Sequence, residues 1–216
     1  MKFLLLNQFY PPDTAATGQL LEDVAHALSR AGHEVHVVCS RGAYGGGIVP
    51  APRVTCQEAG LWVHRVSAVS EGRNRFLGRL SDWGSYYAAA LAQSICLARC
   101  DACLALTTPP FIGIVVVLLK ALKGTRLVLW TMDIWPEVAV ALGAIPANGH
   151  VAAALRSFAK WTYDASSRII SLGPVMTERL CALGVARAKI TNAHNWVPGE
   201  VVTPQPWSPG TCAGQP

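Results

Sequence analysis

Three residues of the segment MDIWPE are the first candidates for chemistry. Asp133, Trp135 and Glu137 follow an apolar run at residues 126–131 that has the length of a buried strand. A carboxylate just beyond a strand can accept a hydrogen bond from a sugar hydroxyl and orient it, while an aromatic neighbour packs against a sugar face. Structural roles are the alternative, because Asp133 can cap the turn before Pro136 and a helix dipole favours Glu137 in a first turn.

A second group of candidates lies between the first strand and the first helix. Asp13, Thr14 and Thr17 belong to a polar loop, and a helix is predicted to begin near Gly18. The N–H groups and the dipole of a helix N-terminus attract anions, and a glycine there lets a phosphate approach the backbone. Chain geometry alone can equally explain the glycine, and Thr17 can cap the helix or donate to a ligand.

Several common catalytic signatures are absent from the sequence. No GxGxxG follows the first strand, and GxxxxGK[ST], GxSxG and HExxH do not occur, which removes the usual support for dehydrogenases, P-loop NTPases, hydrolases and zinc proteases. Cys96, Cys100 and Cys103 are close in sequence, but their positions at a helix end and in an apolar strand favour reduced thiols. We expect no metal and no cofactor. His194 and Asn195, where the last strand meets the tail, can line an interdomain crevice, but a structural role is the favoured interpretation of the histidine.

The elements that must position these residues alternate along the chain. Sequence patterns predict strands at residues 3–6, 34–40, 102–106, 126–131, 168–172 and 189–193, a hairpin at 54–57 and 61–66, and helices at about 18–28, 73–99, 111–123, 151–166 and 174–183. Alternating strands and helices favour a parallel sheet with right-handed crossovers.

Composition suits one folded domain followed by a tail. The chain has 216 residues, of which 51% are hydrophobic, so it can fill a sizeable core. From Asn195 onward there are five prolines and no periodicity. We therefore predict a domain at residues 1–194 and a Pro-rich linker or disordered tail at residues 195–216.

The charge pattern bears on partners and location. A net charge of +5 without a clustered basic stripe is not typical of nucleic-acid-binding proteins. Because the sequence shows neither a secretory signal nor a segment long enough to span a bilayer, we expect a cytoplasmic protein. The segment RNRFLGRL, with Arg73, Arg75 and Arg79, can rest on the anionic inner face of a membrane, although solvated arginines on an amphipathic helix are the favoured interpretation.

Four stretches together resemble the N-terminal domain of family 4 glycosyltransferases: NQFYPPDTAATGQLLEDVAHALSRAGHEVHVVCSR, TTPP, LVLWTMDIWPEVAVALG and ITNAHNWVP. The nearest branch builds bacterial surface polysaccharides. This resemblance implies a GT-B architecture, in which two Rossmann-like domains face each other across a cleft. The first domain, a doubly wound and mainly parallel α/β sheet, mainly holds the acceptor, and the second holds a nucleotide-sugar donor.

The resemblance also implies roles for the candidate residues. The family is retaining and metal-independent, and it transfers a sugar from a nucleotide-diphosphate sugar, here to a lipid-linked or saccharide acceptor. Its glycine loop approaches the donor diphosphate, a role that falls on Gly18 with Asp13, Thr14 and Thr17 nearby. Asp133 resembles the acceptor-side polar residue of the cleft, which makes it the candidate catalytic residue.

The donor domain of the family has no counterpart in the sequence. We therefore expect the isolated chain to have little or no transferase activity unless a separate C-terminal donor domain completes it. Two alternatives stay open at this point: a non-catalytic carbohydrate-binding or partner-dependent module, and a fragment of a nucleotide-sugar epimerase with the same two-domain architecture.

Overall fold

The computed structural model describes residues 1–67 and 76–197. In chain order its strands are β1 (Lys2–Leu6), β2 (Glu34–Ser40), β3 (Val54–Glu58), β4 (Leu61–Val66), β5 (Ala102–Leu106), β6 (Arg126–Trp130), β7 (Arg168–Ser171) and β8 (Ile190–Asn192). Its helices are α1 (Ala16–Arg30), α2 (Phe76–Cys96), α3 (Gly113–Lys123), α4 (Glu137–Ala141), α5 (His150–Ala165) and α6 (Pro174–Ala182), and a 3-10 turn covers Arg187–Lys189.

The strands form one sheet in the order β3-β4-β2-β1-β5-β6-β7-β8. Neighbouring strands pair in parallel except for β3 and β4, which form an antiparallel hairpin at one edge. The predicted mainly parallel α/β sheet is therefore confirmed, and so is the predicted hairpin. Short apolar strands such as VHVVC within β2 are buried on both faces, as a sheet with helices on both sides requires.

Two core clusters lie on opposite faces of this sheet. One contains alternate residues of β1 and β2 together with apolar residues of α1, including Leu5, Val37 and Leu21. The other contains the remaining alternate residues, such as Leu6, with side chains of α2, α3 and α5. Because strand side chains point alternately to opposite faces, each of these strands contributes to both clusters.

Some helix boundaries differ from the sequence prediction. α3 begins at Gly113 rather than at residue 111, because Phe111 has a φ of 62° and so cannot belong to a right-handed helix. α1 begins at Ala16, two residues before the predicted start. The segment after Pro136, predicted as a possible helix with Glu137 in its first turn, forms the separate short helix α4.

Two predictions fall partly or wholly outside the described residues. The basic segment with Arg73, Arg75 and the side chain of Arg79 is one, and the tail from residue 198 onward is the other. Before that point, Trp196 stacks on Trp130 at the end of β6, with ring centroids 5.6 Å apart. Its indole N–H donates to Asp23 Oδ2 at 2.7 Å, so the chain after β8 contacts α1.

Among the helices in the described part of the chain, none combines the length and the apolar character that a transmembrane span requires.

Candidate functional site

The candidate residues lie in loops at the carboxyl edge of the parallel strands. β1 is flanked by β2 on one side and β5 on the other, so the strand order reverses at β1. In open α/β sheets the crevice for ligands forms beyond such a reversal. Here the loops after β1 and β5 are joined directly, because the backbone N–H of Gln8 donates to the carbonyl oxygen of Thr108 at 3.1 Å.

Asp13 organises the loop after β1. Its carboxylate is buried and accepts hydrogen bonds from two backbone N–H groups, that of Ala15 at 2.8 Å and that of Tyr44 at 2.6 Å. Oδ1 therefore fixes the turn before α1, and Oδ2 holds the loop against the segment that follows β2. The geometry gives Asp13 a role in fixing the loop.

Gly18 and Thr17 lie where α1 packs on the same loop. A Cβ atom on Gly18 would be 3.1 Å from the carbonyl oxygen of Phe9 and 3.2 Å from Cα of Tyr10, so the missing side chain permits close packing. Thr17 Oγ1 accepts a hydrogen bond from Asn7 Nδ2 at 3.3 Å. Thr14 is exposed, and its carbonyl oxygen accepts from the side chain of Gln19 at 3.3 Å.

Thr107, directly after β5, positions the backbone of Asp133. Its Oγ1 accepts hydrogen bonds from the backbone N–H groups of Met132 at 2.8 Å and of Asp133 at 3.2 Å. The hydroxyl belongs to a buried residue, whereas Asp133 is exposed. Thr107 could not be recognised as a site residue from the sequence, because its partners are about 25 residues away and nothing local to TTPP indicates them.

We expect Thr107→Val to lower the free energy of unfolding by about 1–2 kcal/mol, because valine keeps the shape but leaves two backbone N–H groups without an acceptor. The turn that carries Asp133 should also loosen. Urea denaturation measures the first effect, and hydrogen exchange of the amides of Met132 and Asp133 measures the second. Thr107→Ser keeps the oxygen and is the matched control; equal exchange in the Val and Ser variants would contradict the assignment.

Trp135 belongs to an aromatic cluster beside Asp133. Its ring meets those of Trp83 and Phe111 edge to face, with centroids 6.3 Å and 6.4 Å apart. Phe111 in turn contacts Phe158 of α5, with centroids 5.4 Å apart. Trp135, Thr107 and Asp133 all line one small cavity, so the loops after β5 and β6 meet there.

Glu137 forms an ion pair that ties α4 to α5. The guanidinium of Arg156 donates to its two carboxylate oxygens, from Nε at 2.8 Å and from Nη2 at 3.3 Å. This hydrogen bonding holds the pKa of Glu137 below its usual value. A third guanidinium nitrogen donates to the carbonyl oxygen of Ala147 at 2.8 Å. The ion pair with Arg156 thus supports a structural role for Glu137.

A cavity of about 960 Å³ opens beyond the ends of β6, β7 and β8. Its polar and charged lining residues are Asp133, Glu137, Arg156, Arg179 and His194. The structure therefore brings Asp133 and Glu137 together at one cavity, with Trp135 adjoining. Its lining does not include Asp13 and Thr14 of the loop after β1, or Thr17 and Gly18 of the first turn of α1. A carboxylate beside a roomy cavity can orient a ligand hydroxyl.

Three of these lining residues were not predicted as site residues. Arg156 and Arg179 lie on α5 and α6, where arginines on helix surfaces carry no recognisable signal. His194 was interpreted as structural, and its ring does pack on Gly173, where an added Cβ would be 3.3 Å from Cε1 of the histidine. Its position at the end of β8 was the available clue to the cavity.

Within residues 1–67 and 76–197 no group of three or more His, Cys, Asp or Glu side chains could hold a metal ion. Cys100 and Cys103 are buried as free thiols, and Cys96 is exposed.

Comparison with solved structures identifies the fold. Sucrose-phosphate synthase from Thermosynechococcus elongatus superposes with a TM-score of 0.64 at 11% identity, covering 90% of this chain and 48% of that one. The catalytic domain of starch synthase IV from Arabidopsis thaliana, bound to ADP and acarbose, gives 0.58 at 14% identity, covering 92% and 52%. Anabaena Alr3699/HepE in complex with UDP and glucose gives 0.53 at 14% identity, covering 90% and 44%.

These likenesses define the class: the chain has the fold of an N-terminal domain of a GT-B glycosyltransferase. A family model described as glycosyl transferase 4-like domain matches residues 16–196, and the chain belongs to that family. It spans about half the length of each of these three solved structures. A search of curated protein sequences finds no significant match.

Proposed function

We propose that this chain is the acceptor-binding half of a retaining glycosyltransferase of the bacterial surface-polysaccharide branch. It transfers a sugar from a nucleotide-diphosphate sugar to a lipid-linked or polysaccharide acceptor when a donor domain completes the cleft. The observation that carries the proposal is the position of Asp133, an exposed carboxylate that follows β6, borders the large cavity and is held by Thr107. Such a carboxylate can fix an acceptor hydroxyl for attack.

The acceptor and the donor diphosphate are assigned to two different segments of the chain. Asp133 accepts the hydrogen bond of the acceptor hydroxyl and acts as the catalytic residue of this half, with Trp135 and Glu137 shaping the acceptor side. The loop with Asp13, Thr14, Thr17 and Gly18 presents the start of α1 to the donor diphosphate, whose charge a helix N-terminus favours. The second domain supplies the nucleotide site, and the protein works in the cytoplasm at or near the inner membrane surface.

Calorimetry on the purified chain tests the acceptor role. We expect it to bind a sugar acceptor from a panel of saccharides and lipid-diphosphate sugars, and we expect Asp133→Ala to weaken that binding by about 10- to 100-fold, the usual value of a hydrogen bond to a charged group. Nucleotide sugars should bind weakly or not at all to this half alone.

The matched control is Asp164→Ala, which removes an exposed carboxylate of α5 that does not line the cavity. Acceptor binding that is equally strong in wild type, Asp133→Ala and Asp164→Ala would overturn the proposed role of Asp133. Absence of any saccharide binding would count against the acceptor role as a whole.

A further inference from the structure

The walls of the large cavity are mostly apolar. They consist of Met132, Ile134, Val138, Ala141, Leu172, Val175, Met176, Ala182 and Leu183 together with Gly173 and Pro174. No Phe, Tyr or Trp is among the lining residues that the structure describes. A saccharide needs hydrogen-bond partners and gains from aromatic platforms, whereas an aliphatic surface of this extent suits a hydrocarbon chain.

The apolar character continues at the mouth of the cavity. Val175, which lines it, is 69% exposed. A large aliphatic side chain that remains in water on the lining of a cavity gains from being covered by an apolar ligand.

Among the described residues, one of the two arginines that line the cavity makes no salt bridge. Glu137 pairs with Arg156, whose hydrogen bonds are the main cause of the lowered pKa of Glu137, and the charge of Arg179 adds to that lowering. Arg179 on α6 is exposed, lines the same cavity and, within residues 1–67 and 76–197, makes no ion pair or side-chain hydrogen bond. It can therefore pair with an anionic group outside the apolar walls, while Asp133 remains available to a hydroxyl.

We propose that this cavity binds an anionic single-chain lipid phosphate, with the hydrocarbon chain along the apolar walls and the phosphate at Arg179. The inference rests on the proposed function and deepens it, since it makes the acceptor lipid-linked rather than a free polysaccharide. A sugar attached to such a phosphate would extend toward Asp133, the carboxylate assigned to its hydroxyl.

Titration with hexyl, octyl and decyl phosphate tests the lipid site. Each methylene buried against the walls should tighten binding about fourfold, which corresponds to the usual transfer free energy of a CH₂ group, until the cavity is filled. Inorganic phosphate tests the anionic group without the hydrocarbon chain, and decanol tests the chain without the phosphate. Each should bind at least about tenfold more weakly than decyl phosphate. Equal affinity for all three alkyl phosphates, or for decanol and decyl phosphate, would overturn the inference.

Variants locate the site. Arg179→Ala should reduce the affinity for decyl phosphate about tenfold and leave decanol unchanged, whereas Arg187→Ala, on the exposed 3-10 turn, should change neither. Ala182→Phe fills the cavity from an exposed helical position and should abolish the dependence on chain length; Ala154→Phe, exposed on α5 and outside the cavity, is its control.

The outcomes distinguish this inference from the function on which it rests. If saccharides bind and depend on Asp133, but decyl phosphate is indifferent to Arg179→Ala and Ala182→Phe, the lipid site is overturned and the acceptor role stands. If decyl phosphate binds as expected and no saccharide binds in any form, the lipid site is supported and the transferase proposal fails.

Discussion

Lowering the pH from about 6.5 to about 4 should cost the folded chain about 3 kcal/mol through His64 alone. Burial lowers the pKa of His64 from 6.5 to about 4, and the neighbouring His36 adds to the shift. Between these two pH values the unfolded chain therefore binds a proton at His64, whereas the folded chain does not. The stability from the neutral ring is fully present above pH 6.5 and is lost as the pH falls through that interval.

The hydrogen bonds around His64 explain why the neutral ring is preferred. His36 Nε2 lies 2.9 Å from Glu34 Oε1, and His36 Nδ1 lies 3.0 Å from His64 Nε2. With the His36 proton on Nε2, these contacts assign the His64 proton to Nε2, leaving its Nδ1 to accept from Gln93 at 3.4 Å. A second proton on His64 would face the amide N–H₂ of Gln93, in addition to its burial cost.

Denaturation with urea at a series of pH values measures this effect. His64→Gln keeps a donor that can reach His36 but cannot titrate, so its stability should fall less steeply between pH 6.5 and 4 than that of the wild type. His150→Gln, at an exposed position at the start of α5, controls for the loss of a histidine as such. Identical pH profiles for His64→Gln and the wild type would show that this ring does not carry the dependence.

Local sequence was sufficient to predict most of the sheet. The run FLLL of β1 and the whole of β5 are uninterrupted apolar runs between polar segments, and a run buried on both faces needs no partner to be recognised. For the same reason Asp133 could be placed at a strand end, because the apolar run before it stops there. What local sequence could not supply is the contact between loops.

The site shows this limit at three residues. Thr107 acts on the backbone of Asp133 from the neighbouring strand, so its role exists only after the two strands pair. Arg179 can reach a ligand in the cavity only because α6 and α4 both border it. From the sequence, Gly18 is explained equally well by the approach of a phosphate and by chain packing. The backbone of Phe9 lies against Gly18, which gives the glycine a packing role. Each of these depends on distances between separate segments of the chain.

Gly113→Ala should destabilise the fold by about 3 kcal/mol, the upper part of the usual range for overpacking a buried site. Gly113 is the buried first residue of α3, and a Cβ there would overlap with Cγ2 of Thr162 on α5. Thr162 is buried, and its hydroxyl donates to the carbonyl oxygen of Phe158 at 3.2 Å, which holds the rotamer that points the methyl at the glycine. α3 and α5 can approach closely only without a side chain at this position.

A double-mutant cycle isolates this clash, because the effect of Gly113→Ala on the free energy of unfolding should change sign when the methyl of Thr162 is removed. Thr162→Ser removes the methyl, keeps the hydroxyl and should by itself cost about 1 kcal/mol. In that background Gly113→Ala should be neutral or stabilise by up to about 1 kcal/mol, since alanine is the better helix former. Gly84→Ala, with open space around its Cβ position in α2, should stabilise in either background. Guanidinium denaturation gives each free energy of unfolding; a Gly113→Ala cost that persists in the Thr162→Ser background would place the strain elsewhere than between α3 and α5.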